Sequence, residues 1–189
     1  MITRPPTATS FTSREEPVMT PALCLDDAAA TLATSLTEMG FSPTFGTPCG
    51  ILAPLYERLE NGSALQTVSR EDNAVGIAAG AAMAGRSPVV MMQNSGLGQS
   101  VNALASLVVP YEIPMLLIVS LRGIQPDTTQ ENLAMGRLTE PLLSDLGIPA
   151  ERLDAERLTT QLEWAREIVC VQRKTAALLV PPTLFGWQA

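Results

Sequence analysis

The sequence predicts an α/β fold: an open, mostly parallel sheet of about six strands with helices on both faces. Two observations carry that expectation. The strongest apolar stretches, "PVVMMQ", "IPMLLIVSL" and "TAALLVPP", are continuous hydrophobic runs rather than alternating ones, so each strand needs cover on both faces. Between them lie segments with apolar residues at helical spacing, the alternation that parallel strands require.

The elements follow in order. Residues 1–22 are rich in Pro, Thr and Ser with no apolar signal core, and are expected to form a disordered lead-in in which Met19 is an alternative start. The domain proper is expected over 23–189. "LDDAAATLATSLTEMG" sets Ala29, Leu32, Leu36 and Met39 on one helical face, and Gly40 ends it. "SPTFG" is a short strand. "ILAPLYERLENG" is a second amphipathic helix, with Pro54 tolerated in its first turn and Asn61-Gly62 as its stop. "ALQTVS" is a strand, and the helix after it carries Gly76 and Gly80 in its interior. Each interior glycine forgoes about 1 kcal/mol against alanine, so close approach of another backbone or a ligand must outweigh that loss. After "PVVMMQ", the turn "NSGLG" leads into a helix "QSVNALASLVV". The strand "IPMLLIVSL" precedes an irregular polar segment, Arg122 to Asn132, and a short helix around Pro141 to Leu146. A capping box from Thr160 to Glu163 opens the last helix, which runs to Lys174, and "TAALLVPP" closes the sheet.

Composition narrows the chemistry. With 189 residues, 46% of them hydrophobic, the chain makes one globular domain with a substantial core. Twelve Lys and Arg against 19 Asp and Glu give a net charge of -7, and no basic run or basic-aromatic cluster marks a nucleic-acid surface. Histidine is absent, which removes Ser-His and Cys-His nucleophile pairs and most zinc sites. Cys24, Cys49 and Cys170 show no metal-ligand spacing and read as reduced thiols of a cytoplasmic protein. No apolar run approaches the roughly 20 residues of a membrane span.

In parallel sheets ligands bind beyond the C-terminal ends of the strands. Four segments should therefore gather along one edge: "GTPCG" (46–50), "SRED" (69–72), "QNSGLG" (93–98) and "LRGIQPD" (121–127). Each has a plain reading beside a functional one. Ser69 to Asp72 fits a helix cap, which accounts for Asp72 better than for Glu71. Gly96-Leu97-Gly98 offers free N–H groups to an anion, yet it lacks the third glycine of a dinucleotide fingerprint and also suits a tight turn. Arg122 is either a solvated loop charge or a ligand contact, and Cys49 either a reactive thiol or a small turn residue.

Taken together, "FGTPCGILAPLYERL", "SREDNAVGIAAGAAMAGRSPVVMMQNSGLGQSVNALASL", "IPMLLIVSLRG" and "MGRLTEPLLSDLGIP" resemble the pyrimidine-binding domain of thiamine-diphosphate decarboxylases, in the branch that acts on phosphonopyruvate and sulfopyruvate. The resemblance spans Leu25 to the C-terminus. It implies that Glu71 hydrogen-bonds N1′ of the cofactor's aminopyrimidine and favours the imino tautomer that removes the C2 proton. It implies cofactor contacts from Gln93, Asn94, Ser95 and Gly96, and substrate contacts from Thr47, Pro48, Cys49 and Asn94. Arg122 joins the substrate set on charge, because a guanidinium donates two parallel bonds to an oxyanion. The chain contains no Gly-Asp-Gly, the family's magnesium and diphosphate motif, so Mg2+ and the diphosphate are expected on a separate beta-type subunit, in alpha/beta pairs. The glycine helix would pack between paired subunits. Where many relatives carry a histidine, this sequence has Gln130, Glu131 and Asn132. The expected activity is decarboxylation of a 3-phosphono- or 3-sulfo-2-oxo acid; a split acetohydroxyacid-synthase-like carboligase and a non-catalytic module on the same fold remain as alternatives.

Overall fold

A computed structural model describes residues 25–60 and 65–188. The lead-in 1–22, Cys24 and the Asn61-Gly62 stop lie outside the described residues. Six parallel strands form one sheet in the order β2-β1-β3-β4-β6-β5. They are β1 (Thr44–Gly46), β2 (Leu65–Thr67), β3 (Val89–Gln93), β4 (Leu116–Ser120), β5 (Ala150–Arg152) and β6 (Ala176–Val180). The helices are α1 (Leu25–Glu38), α2 (Ala53–Glu60), α3 (Glu71–Met83), α4 (Asn94–Gln99), α5 (Val101–Ala103), α6 (Leu133–Asp145) and α7 (Leu158–Arg166).

The continuous apolar runs divide by parity. Val89, Met91, Leu116, Ile118, Ala176 and Leu178 face a core shared with α1, α2 and α7. Val90, Met92, Leu117, Val119, Ala177 and Leu179 face a second core shared with α3, α4 and α6. The period of two along a strand produces this split, and it is why β3, β4 and β6 carry no polar side chain before their last residues. Helix α1 buries Ala29, Leu32 and Leu36 as its spacing predicts. Gly40 ends it at φ 84, donating to the Thr37 carbonyl at 3.1 Å while Phe41 donates to that of Leu36 at 2.9 Å.

Five expectations need correction. The Ser69 cap is not made: α3 starts at Glu71 with Arg70 at the cap position, and the Arg70 guanidinium takes Asp72 instead, at 2.9 and 3.0 Å. The segment after β3 does not turn before its helix; Asn94 is already helical and α4 follows the strand directly. Helix α6 starts at Leu133, well before Pro141, and runs through Gly136, which packs against the Gly123 backbone. The Thr160–Glu163 box is absent, since α7 begins at Leu158 and the Thr160 hydroxyl donates back to the Arg157 carbonyl at 2.9 Å. The helical pattern ends in a five-residue wide turn, Glu167–Val171, rather than running to Lys174. Strand β5 has no apolar signature. It is an edge strand, tied to the fold by Gln161, which is 1% exposed and donates to the Arg152 carbonyl at 2.8 Å.

Gly76 and Gly80 lie on the exposed face of α3, where an added Cβ would meet nothing within 4 Å among the described residues. Their purpose is therefore not packing within the described fold. Ile77, 47% exposed, and Met83, 78% exposed, continue that small, apolar face.

Candidate active site

Because every strand is parallel, the C-terminal ends of β2, β1, β3 and β4 stand side by side and their loops share one edge. Hydrogen bonds tie these loops together. Thr47 N–H donates to the Met91 carbonyl at 3.2 Å, and Val68 N–H to that of Gly46 at 3.0 Å. The Cys49 sulfur lies 3.1 Å from the Ser120 hydroxyl and 3.8 Å from Oε1 of Gln93. Gln93 in turn donates to the Ser95 hydroxyl at 2.8 Å. Asn94 is fully buried, its amide donating to the Arg122 carbonyl at 2.9 Å and to the Thr139 hydroxyl at 3.1 Å, so it braces the 121–127 loop against α6. Its Oδ1 has no partner among the described residues.

Glu71, the first residue of α3, is half-buried and reaches toward α4. Its carboxylate lies where a side chain on Gly96 would stand. A Cβ there would fall 2.5 Å from Cδ and 2.6 Å from Oε1 of Glu71, and closer still to Cγ. Gly96 thus makes the seat in which the carboxylate rests, a steric role that the phosphate-cradle and turn readings both missed.

Gly46 has a comparable duty. A Cβ on it would overlap the Tyr56 hydroxyl and stand 3.1 Å from Cβ of Met91. Tyr56 is 6% exposed, and its hydroxyl has no hydrogen-bond partner among the described residues; the same is true of the Thr47 hydroxyl. Burial raises the Tyr56 phenol above its ordinary range, with Cys49, Glu71 and Glu60 adding to the effect, so it remains a neutral donor. Buried polar groups ordinarily find partners, so unpaired hydroxyls beside these loops mark them as a place built to receive a polar ligand. A cleft of about 390 Å³ lined by Pro48, Cys49, Tyr56, Glu57 and Glu60 opens there. A larger cleft of about 670 Å³ lies between α6 and β5 and contains none of the residues expected to act.

The fourth loop is organised by Asp127, which sequence reasoning passed over and which is 1% exposed. Its Oδ2 accepts from Nε of Arg122 at 2.5 Å, from Gly123 N–H at 2.9 Å and from the Asn132 amide at 3.2 Å. Its Oδ1 accepts from Thr129 N–H at 3.1 Å and from the Thr129 hydroxyl. The Arg122 guanidinium holds this carboxyl well below the usual carboxylate range, against the opposing effect of burial, and Thr129 and Gly123 assist. Arg122 is accordingly not a free loop charge; it is ion-paired, with its Cζ 4.9 Å from the ring centroid of Trp187. The segment Gln130–Asn132 forms a single tight turn, in which Asn132 secures Asp127.

A glycine-seated carboxylate thus stands at the C-terminal edge of a parallel sheet, the edge where ligands bind in such folds. Residues 26–135 match the family of the thiamine pyrophosphate enzyme, N-terminal TPP binding domain. The chain belongs to this family. Among relatives of this TPP-binding domain is the sulfopyruvate decarboxylase subunit alpha of Methanothermobacter thermautotrophicus, 38% identical over 125 residues that cover 65% of this chain and 76% of that protein. Another is the phosphonopyruvate decarboxylase of Streptomyces viridochromogenes, 40% identical over 119 residues, covering 61% of this chain and 30% of that one. The fold matches that of a 2-oxoglutarate:ferredoxin oxidoreductase from Magnetococcus marinus with a TM-score of 0.67 at 15% identity, over 86% of this chain and 29% of that one.

The TPP-binding domain contains free thiols at Cys49 and Cys170. Among the described residues no cluster of three or more His, Cys, Asp or Glu could hold a metal ion, and no helix is long and apolar enough to cross a membrane.

Proposed function

We propose that this chain is the pyrimidine-binding alpha subunit of a two-subunit decarboxylase acting on 3-sulfopyruvate or 3-phosphonopyruvate. The reaction breaks the C1–C2 bond of the 2-oxo acid, releases CO2 and leaves the aldehyde after a proton replaces the lost carboxylate. The observation that carries the reading is the Glu71 carboxylate seated on Gly96. The names and identities of the sulfopyruvate and phosphonopyruvate relatives support the substrate class.

Thiamine diphosphate, when bound, supplies the carbon nucleophile and the electron sink for decarboxylation. The chain's part is to place and protonate. Glu71, at the first turn of α3, would hold and exchange a proton at N1′ of the aminopyrimidine. Gly96 keeps that carboxylate in place. Gln93 and Ser95 flank the junction of β3 and α4, and Asn94 ties that junction to the 121–127 loop. Thr47, Pro48 and Cys49 face the substrate, and Arg122 takes its anionic head. In this reading a beta-type subunit holds the diphosphate and Mg2+, which the relatives named as alpha subunits support. That subunit or a second alpha chain covers the exposed Gly76, Ile77, Gly80 and Met83 face of α3.

The test is CO2 release from each of the two oxo acids by the chain together with its diphosphate-binding subunit. Aldehyde and CO2 in equal amounts, lost in Glu71→Gln, are expected. A carbon–carbon ligated product would assign the chain to the carboligases instead, and no turnover of any 2-oxo acid would leave it a non-catalytic module.

A further inference from the structure

Arg122 has four rotatable side-chain bonds, and a loop arginine would ordinarily sample many orientations. Here several contacts restrain it. Its carbonyl accepts from the buried Asn94, and its neighbour Gly123, at φ 75, lies against α6 so closely that a Cβ on Gly136 would stand 2.6 Å from the Gly123 carbonyl carbon. The backbone is thus seated before the side chain is considered. Two further groups then fix the guanidinium. Asp127 occupies the Nε edge, and the guanidinium carbon sits over the Trp187 ring, 4.9 Å from its centroid. Trp187 reaches that position because Gly186, at φ 72, turns the chain back after Pro182–Phe185. Its indole nitrogen also lies 3.8 Å from where a Cβ on Gly50 would stand, so one ring touches both the 46–50 loop and Arg122. The two terminal nitrogens of Arg122 have no hydrogen-bond partner among the described residues.

We propose that Asp127 and Trp187 are positioning residues that hold Arg122 in a single orientation, presenting its terminal nitrogens as a fixed fork to the sulfonate or phosphonate oxygens of the substrate. The proposal rests on the reading that Arg122 receives that anion. With the Nε edge closed by a carboxylate, an incoming anion is repelled there and directed to the outer edge, where two parallel N–H bonds match two oxygens. With its central carbon over an indole ring, the guanidinium is restrained from swinging away from Asp127. Without these constraints the arginine still attracts an anion, but without a fixed direction, and the 2-oxo group is no longer delivered to one place.

The experiment measures steady-state kinetics of the complex with its diphosphate-binding subunit on 3-sulfopyruvate and 3-phosphonopyruvate, with pyruvate as substrate or competitive inhibitor. Trp187→Leu should raise KM for the two anion-headed acids about tenfold while kcat stays within about threefold, and Trp187→Phe should restore KM. Asp127→Asn should act in the same direction more strongly, because an amide turned to keep Thr129 points a donor at Nε. Pyruvate binding should move less than about twofold in each variant. Should Asp127→Asn fail to fold, the Trp187 pair decides alone. Equal losses on pyruvate, a fall confined to kcat, or failure of Phe to restore KM would overturn the positioning role. If Arg122→Ala leaves KM for the anion-headed acids unchanged, the assignment of Arg122 itself fails, and that result is distinct from the others.

Discussion

Gly96→Ala separates stability from activity in a way that follows from one contact. The new methyl carbon would stand 2.5 Å from Cδ and 2.6 Å from Oε1 of Glu71. Carbon atoms rest at about 3.5–4.0 Å, so the carboxylate must retreat by about 1 Å or more. The obstacle is the Glu71 side chain, Cγ nearest, rather than backbone, so Glu71 must change rotamer while the fold keeps its place. Alanine also gains up to about 1 kcal/mol over glycine in a helix, which offsets the displacement. Thermal stability should therefore change little. Catalysis should not be spared, since a misplacement of about 1 Å costs on the order of a hundredfold, or about 2.7 kcal/mol of barrier. The assay is kcat/KM for decarboxylation by the assembled enzyme, beside a melting curve, for Gly96→Ala, Glu71→Ala and the double variant. If Gly96 acts only by seating Glu71, adding Gly96→Ala to Glu71→Ala has no further effect. Near wild-type activity in the single variant, or an additive loss in the double one, would refute the reasoning.

Other expectations concern the loop, the cofactor and the interface. Asp127 has its carboxyl held below the ordinary aspartate value of about 3.9, so the stability it contributes is fully present above about pH 5 and is lost as pH falls toward its lowered value. The stability gap between the wild type and Asp127→Asn should be constant from neutral pH to about pH 5 and should narrow below about pH 4; denaturant titrations that show it widening on acidification would contradict the assignment. The chain alone should bind thiamine diphosphate more weakly than about 1 μM, equivalent to about 8.2 kcal/mol, and calorimetry finding tighter binding would place the diphosphate ligands in this chain. Gly80→Leu should leave the isolated chain at least as stable, since nothing among the described residues lies within 4 Å of the new Cβ, yet weaken assembly about a hundredfold in sedimentation experiments. Unaltered assembly would remove the interface from this face of α3.

The parallel sheet was legible because "PVVMMQ", "IPMLLIVSL" and "TAALLVPP" must be covered on both faces, and that requirement alone gathers the four loops at one edge. Strand β5, "AER", was not, because a three-residue edge strand held by a buried glutamine needs no apolar pattern. Local punctuation misled where tertiary contact outranked it. Gly136 and Pro141 look like breakers, yet α6 runs through both, since the glycine admits the backbone of Gly123 and Arg122. The Ser69 and Thr160 caps failed for another reason: Arg70 pairs with Asp72, and Thr160 has the Arg157 carbonyl within reach. Glu71 was expected to serve the cofactor from resemblance, and the structure sets it as the first residue of α3, against Gly96. Its contact with Gly96, and that of Trp187 with Arg122 across 65 positions of sequence, arise only when distant loops meet. Asp127 left a faint trace in "PDTT", where an aspartate after proline commonly caps its own turn, but its grip on Arg122 and Asn132 is tertiary.

The central claim is that Glu71 of this chain controls the proton at N1′ of a cofactor whose diphosphate a second subunit holds. The direct measurement is the rate of C2 hydrogen–deuterium exchange in thiamine diphosphate bound to the assembled complex, followed by quenched-flow NMR without substrate. Wild-type complex should exchange that proton orders of magnitude faster than free cofactor, and Glu71→Gln should fall back toward the free rate while still binding the cofactor. Equal exchange rates in the two complexes would contradict the account.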